Sequence, residues 1–247
     1  MLRPKSLIRK SYFIISVFGY FVDVFGKLSE AIADQSYLTQ CLTWHWFFFI
    51  GIWQFTLVLN RFTSVVFWQK YDIIWADKMA YFWCFGIYIY PIIVDITFII
   101  LEPLQWECVT KLFSDHCQPF FADLLIRQTV SNSITCAGSI VLSTITVIQI
   151  RKTSASKVAT RLIVQTCIMT VVFAIFTVAV VLFSFAWKAR NRQQGLLFGI
   201  IGNISLYTHQ CIGCIWLVII CHGMMKSQTT VAKRDNTIAT NQNHTKY

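Results

Sequence analysis

Few residues in this chain have a type and spacing suited to chemistry. Its five histidines are scattered over separate segments, whereas a metal site needs several ligands brought close together. Cys211-Ile212-Gly213-Cys214 has the spacing of a redox or metal pair. It lies in an apolar run with no second pair, where a cysteine behaves as a small packing group. No His-Glu-x-x-His, glycine-rich phosphate loop or Gly-x-Ser-x-Gly occurs. The sequence therefore points to no enzyme, no cofactor and no metal. Its most informative feature is Asn60-Arg61-Phe62, a cationic step at the end of a long apolar run.

That run, Leu42 to Leu59, has no acidic or basic group other than His45. Roughly 20 such residues cross a bilayer core as a helix. An arginine where the helix leaves the membrane is costly to bury, so it is either an interface anchor or a residue kept for a task.

Composition extends this reading to the whole chain. Of 247 residues, 56% are hydrophobic and 13% charged, and the mean hydropathy is +0.58, values foreign to a soluble domain. Six apolar stretches are expected to be spans: 11–26, 42–59, 79–101, 130–150, 162–187 and 195–221. The first is short, contains Asp23 and follows basic residues, as a signal peptide would. Asp23 interrupts its apolar core, however, and no small-x-small cleavage site follows, so it reads as a span. The expected architecture is an all-α, multi-pass transmembrane helix bundle over residues 1–226. A polar, disordered, cytoplasmic tail over 227–247 follows.

The net charge of +10 suggests a nucleic-acid partner until its distribution is considered. With the N-terminus inside and the loops alternating, 15 of the 21 lysines and arginines fall on inner segments. This is the bias that orients membrane proteins, and it places both termini in the cytoplasm. The short Lys188-Ala189-Arg190-Asn191-Arg192 loop runs against it. Topology accounts for the basic excess, with anionic inner-leaflet lipid as partner and no nucleic acid.

Cys41, Cys108 and Cys117 fall on the expected outer side, the last two in the loop from Glu102 to Arg127. A disulfide from Cys41 to Cys108 or Cys117 is geometrically reasonable and permitted by an oxidising exterior. Three free thiols are the alternative.

Asn60-Arg61-Phe62-Thr63-Ser64-Val65-Val66-Phe67, followed by Tyr71-Asp72-Ile73-Ile74-Trp75, resembles the end of the third helix of nematode serpentine chemoreceptors. The gamma and V classes are the nearest. Phe13 to Phe18 resembles the second helix of that family, and Ile148-Gln149-Ile150-Arg151-Lys152 the basic exit of its fifth. Trp68 stands where the family pattern has proline. The resemblance implies a seven-helix G-protein-coupled receptor fold in which the six spans match helices two to seven and the first is missing. It further implies a small-molecule or peptide ligand outside, a heterotrimeric G protein inside, and a plasma-membrane location in sensory cilia. Arg61 would be the switch and G-protein contact, flanked by Phe62. Asn60 would take the position that rhodopsin-like receptors give to an acidic residue. The alternative keeps Arg61 as an anchor reaching lipid headgroups.

Polar groups inside spans are candidates for a ligand pocket: Asp23, His45, Tyr88, Tyr90, Asp95, Tyr207 and His209. Trp44 and Trp46 beside His45 read as interface-belt residues. The polar band around Tyr207 and His209 equally suits stitching between helices, and Gly195, Gly199 and Gly202 suggest close helix contact. A multi-pass solute or proton-coupled transporter is the rival class. It predicts an internal repeat, yet the loops of the two halves differ in length and charge.

Overall fold

The computed structural model describes residues 7–31, 37–101, 108, 115–152, 157–189, 191, 193–216 and 218–219. Among these the chain is helical with no strand. Helix α1 spans Leu7–Ala31, α2 Tyr37–Val66, the short α3 Tyr71–Ile74 and α4 Asp77–Leu101. A 3-10 turn at Asp115–Cys117 leads into α5, Gln118–Lys152, followed by α6, Lys157–Lys188, and α7, residues 193–216. Among the described residues, three segments are long and apolar enough to cross a membrane: Trp44–Val66, Gln118–Lys152 and Ile163–Lys188.

Helix α5 reveals which solvent this bundle is built for. Its buried face is polar, with Gln128, Ser131, Asn132, Thr135, Ser139, Ser143 and Thr146. Its exposed face is apolar, with Val130, Ile134, Val141, Ile145 and Ile148. In water that arrangement would be inside out. In a bilayer the apolar face meets acyl chains, and polar side chains must find partners within the protein. Several do so on their own helix: Thr135 donates to the Ser131 carbonyl (3.0 Å), Ser139 to Thr135 (2.7 Å) and Thr146 to Leu142 (2.6 Å). The molecule is an all-helical membrane bundle.

Helix α2 runs through its centre and contributes to all three apolar clusters. Phe49, Trp53 and Leu57 pack with Tyr12 and Ile15 of α1, Tyr71 of α3 and Ile87 of α4. Phe48 joins Phe120, Phe121, Leu124 and the cysteines of the loop before α5. Trp46 and Ile50 meet Cys136, Phe173, Phe176 and Leu206. The tightest approach to α5 is at Gly51, where a Cβ would lie 2.5 Å from Asn132 Oδ1 and 2.8 Å from Thr135 Oγ1. Only a residue without Cβ fits there unless these side chains move.

The structure corrects four expectations. Helix α5 starts at Gln118, so much of the expected outer loop up to Arg127 is helical. Pro119 sits in the first turn, where its missing N–H costs nothing, and buried Phe120, Phe121, Leu124 and Leu125 anchor that turn. The disulfide joins Cys108 to Cys117, with Cα atoms 5.2 Å apart and a sequence separation of 9. So short a loop closes at little entropic cost, and neither cysteine is left for Cys41, which packs against the same cluster. Trp46 is no belt residue, being 1% exposed. Gly195, Gly199 and Gly202 make only ordinary contacts with α6, with room for a Cβ 3.7–4.0 Å from Phe183 or Ala179.

Candidate functional site

The Asn60-Arg61 step lies in the last turns of α2, beside the start of α1 and against α3. Asn60 is fully buried. Its amide nitrogen donates to the Tyr71 hydroxyl at 3.1 Å and reaches Ser11 Oγ at 3.4 Å. The Ser11 and Tyr71 hydroxyls are 2.7 Å apart, and Tyr71 also bonds Asn60 Oδ1 at 3.3 Å. One turn further on, Trp75 Nε1 donates to Thr63 Oγ1 at 2.7 Å. Thr63 in turn donates to the Leu59 carbonyl at 2.9 Å. The Trp75 ring stacks on Trp83 of α4. Tyr71 and Trp75 are thus the parts of the sequence motif that fold the segment after α2 back onto it. Burial pushes the Tyr71 phenol above its ordinary pKa.

Arg61 is 3% exposed. Its guanidinium carbon lies 3.5 Å from the centre of the Tyr12 ring, a cation–π stack that gains strength away from water. Arg61 Nε and Nη2 have no hydrogen-bond partner among the described residues. The side chain points into the bundle, so in this conformation it does not act as a headgroup anchor. Phe62 leaves the network and packs edge-on against Phe67. Nearby, exposed Lys10 pairs with Asp77 at the start of α4. That bond, and the carboxylate charge behind it, raise the lysine pKa.

The candidate pocket residues do not converge on one site. Asp23 is 4% exposed and accepts from Trp46 Nε1 (2.7 Å) and Gln210 Nε2 (2.8 Å), tying α1, α2 and α7 together. His209 Nε2 is 3.2 Å from Gln54 Oε1, and Gln54 Nε2 is 3.4 Å from Thr170 Oγ1. Thr170 continues at 3.4 Å to Ser143. This chain links α7, α2, α6 and α5 at mid-bundle. His45 bonds the Tyr88 carbonyl at 3.0 Å, with the two rings 4.8 Å apart. Tyr90 bonds Ser131 across to α5 at 2.9 Å. Tyr207 is half exposed on the outer surface of α7. The side chain of Asp95 lies outside the described residues. An open apolar groove of about 580 Å³ runs between α1 and α4, and of these candidates only Tyr88 lines it.

Sequence reasoning missed Ser11 and Tyr12, which nothing in α1 marks as partners of a motif some 50 residues away. It also missed Gln54, whose signal was present as a lone amide inside the second apolar stretch. No group of three His, Cys, Asp or Glu side chains gathers among the described residues.

A lipid-facing helical bundle with a polar interior, internal stitching and a buried arginine at one end defines a multi-pass helical membrane protein. The model of the Srg chemoreceptor family matches residues 7–229, and the chain belongs to that family of nematode serpentine chemoreceptors. No curated protein and no solved structure matches it significantly.

Proposed function

We propose that this chemoreceptor signals through a heterotrimeric G protein. An external small molecule or peptide would bias the helix bundle between two conformations, and the inner ends of α2 and α5 would form the coupling face. The observation that carries this reading is Arg61, buried near the end of α2 with two guanidinium nitrogens unpartnered among the described residues. A buried unsatisfied donor costs about 1–3 kcal/mol, more when charged. A conformation that offers Arg61 the backbone carbonyls of a docked protein recovers that cost, and a planar guanidinium suits such a forked contact. Phe62 and the exposed Arg151, Lys152 and Arg161 would flank the contact. Both termini would be cytoplasmic and the protein would lie in the plasma membrane of sensory cilia, in contact with anionic inner-leaflet lipid.

The polar face of α5 favours a transporter as the second reading. Thr135, Ser139 and Thr146 of that face, however, bond their own helix carbonyls, and Ser143 bonds Thr170 beside an open groove of about 330 Å³ lined chiefly by apolar residues. The two separate in cells expressing the chain at the surface and exposed to a panel of odorants and peptides. A calcium or cyclic-nucleotide response abolished by G-protein inhibition supports the receptor. Solute or proton flux without such a response supports the transporter.

A further inference from the structure

We infer that Tyr12 and the Ser11–Tyr71–Asn60 hydrogen-bonded triad form a neutral latch that holds Arg61 covered and clamps α3 to the start of α1. The signalling arm of this inference rests on the coupling-face reading above, whereas the latch itself does not. Three observations carry it. Among the described residues Arg61 has no acidic partner: its covering group is the Tyr12 ring, 3.5 Å from the guanidinium carbon. The neighbouring Asn60 is spent on Tyr71 and Ser11, which belong to two other elements. Ser11 and Tyr12 are adjacent, so α1 delivers both the ring that covers the arginine and the hydroxyl that holds α3. Withdrawing the first turns of α1 would release both together.

The energetics suit a switch. The closed arrangement leaves Arg61 Nε and Nη2 unsatisfied, offset by the stack and by the hydrogen bonds among the uncharged Ser11, Asn60 and Tyr71 side chains. Neither side of that balance is large, so few interactions need to change for the other state to be populated. A neutral latch of this kind also differs from a carboxylate–arginine lock, because protonation of an acid does not open it.

The test is hydrogen–deuterium exchange of the full chain in lipid nanodiscs, following backbone amides across residues 60–75. Amides of Ile73, Ile74 and Trp75 are hydrogen-bonded within this segment and report its opening. Tyr71→Phe removes the shared hydroxyl, Tyr12→Leu removes the covering ring, and Tyr12→Phe keeps it. Expected is a roughly tenfold loss of protection across 60–75 in Tyr71→Phe and Tyr12→Leu. Tyr12→Phe should stay near wild type, and α6 should be unchanged in all three. Wild-type protection in Tyr71→Phe and Tyr12→Leu would overturn the latch. So would loss spread equally into α6, which would make these contacts part of the general fold. Basal G-protein signalling is measured in parallel. Local opening with raised basal signalling supports latch and coupling face together, and local opening with flat signalling keeps the latch and refutes the coupling face.

Discussion

Replacing Asp23 by leucine separates a helix-stitching carboxylate from a ligand-binding one. Both described bonds to Asp23, from Trp46 and from Gln210, end on the same oxygen, Oδ1. Leucine leaves two donors without their acceptor in a site that is 4% exposed. Hydrogen bonds between membrane helices are worth about 0.6 kcal/mol on average and at most about 1.7, so the loss is roughly 1–3 kcal/mol. At about 2–4 °C per kcal/mol for a chain of this size, Asp23→Leu should lower the apparent melting temperature in detergent by about 2–12 °C. Asparagine keeps a carbonyl oxygen able to accept both bonds, so Asp23→Asn should melt within about 2 °C of wild type by the same conversion. A thiol-reactive fluorescence melt with matched surface expression measures both. A wild-type melting point for Asp23→Leu would refute the stitching role. Equal damage from asparagine would show that the charge, and not the acceptor, is what the site uses.

At Gly51 a side chain meets Asn132 and Thr135 of α5, so Gly51→Val should cost about 1–3 kcal/mol and reduce folded protein on size-exclusion chromatography, whereas Gly199→Ala should not. Non-reducing peptide mapping should recover Cys108 linked to Cys117, and Cys41→Ser should leave that linkage intact. Epitope tags at either end should be inaccessible to antibody on intact cells and accessible after permeabilisation, because the six-span topology with an inner N-terminus would put 15 of 21 basic residues on the cytoplasmic side.

The fold was legible where one physical rule decides alone. Apolar runs of spanning length gave the helices, because a bilayer leaves the backbone almost no other option. The start of α5 was misplaced, since Gln118, Asp123 and Arg127 make its first turns look like a polar loop. Phe120, Phe121, Leu124 and Leu125 bury only against α2 and its neighbours. The Asn60–Arg61 cluster was half legible. Asn60, Arg61, Tyr71 and Trp75 form one local motif, but their partners Ser11 and Tyr12 come from another helix and carry no periodic mark. The pocket candidates were chosen as polar groups in apolar surroundings. That criterion cannot distinguish a group facing a ligand from one satisfied by a neighbouring helix. Asp23, Tyr90 and His209 proved to have protein partners. The choice of cysteine pair failed for a related reason, as the shortest loop was overlooked in favour of a link between segments.

The central claim is that Arg61 couples the bundle to a G protein, and Arg61→Lys tests it most directly. Lysine keeps the positive charge but loses the planar fork. Loss of one charge-assisted bond of about 1.5–3 kcal/mol corresponds to roughly a tenfold or greater weakening. With wild type and Arg61→Lys at matched surface levels, the ligand-evoked calcium or cyclic-nucleotide response should shift at least tenfold in potency or disappear, with the melting temperature little changed. Superimposable dose–response curves would contradict the account and leave Arg61 a buried structural residue.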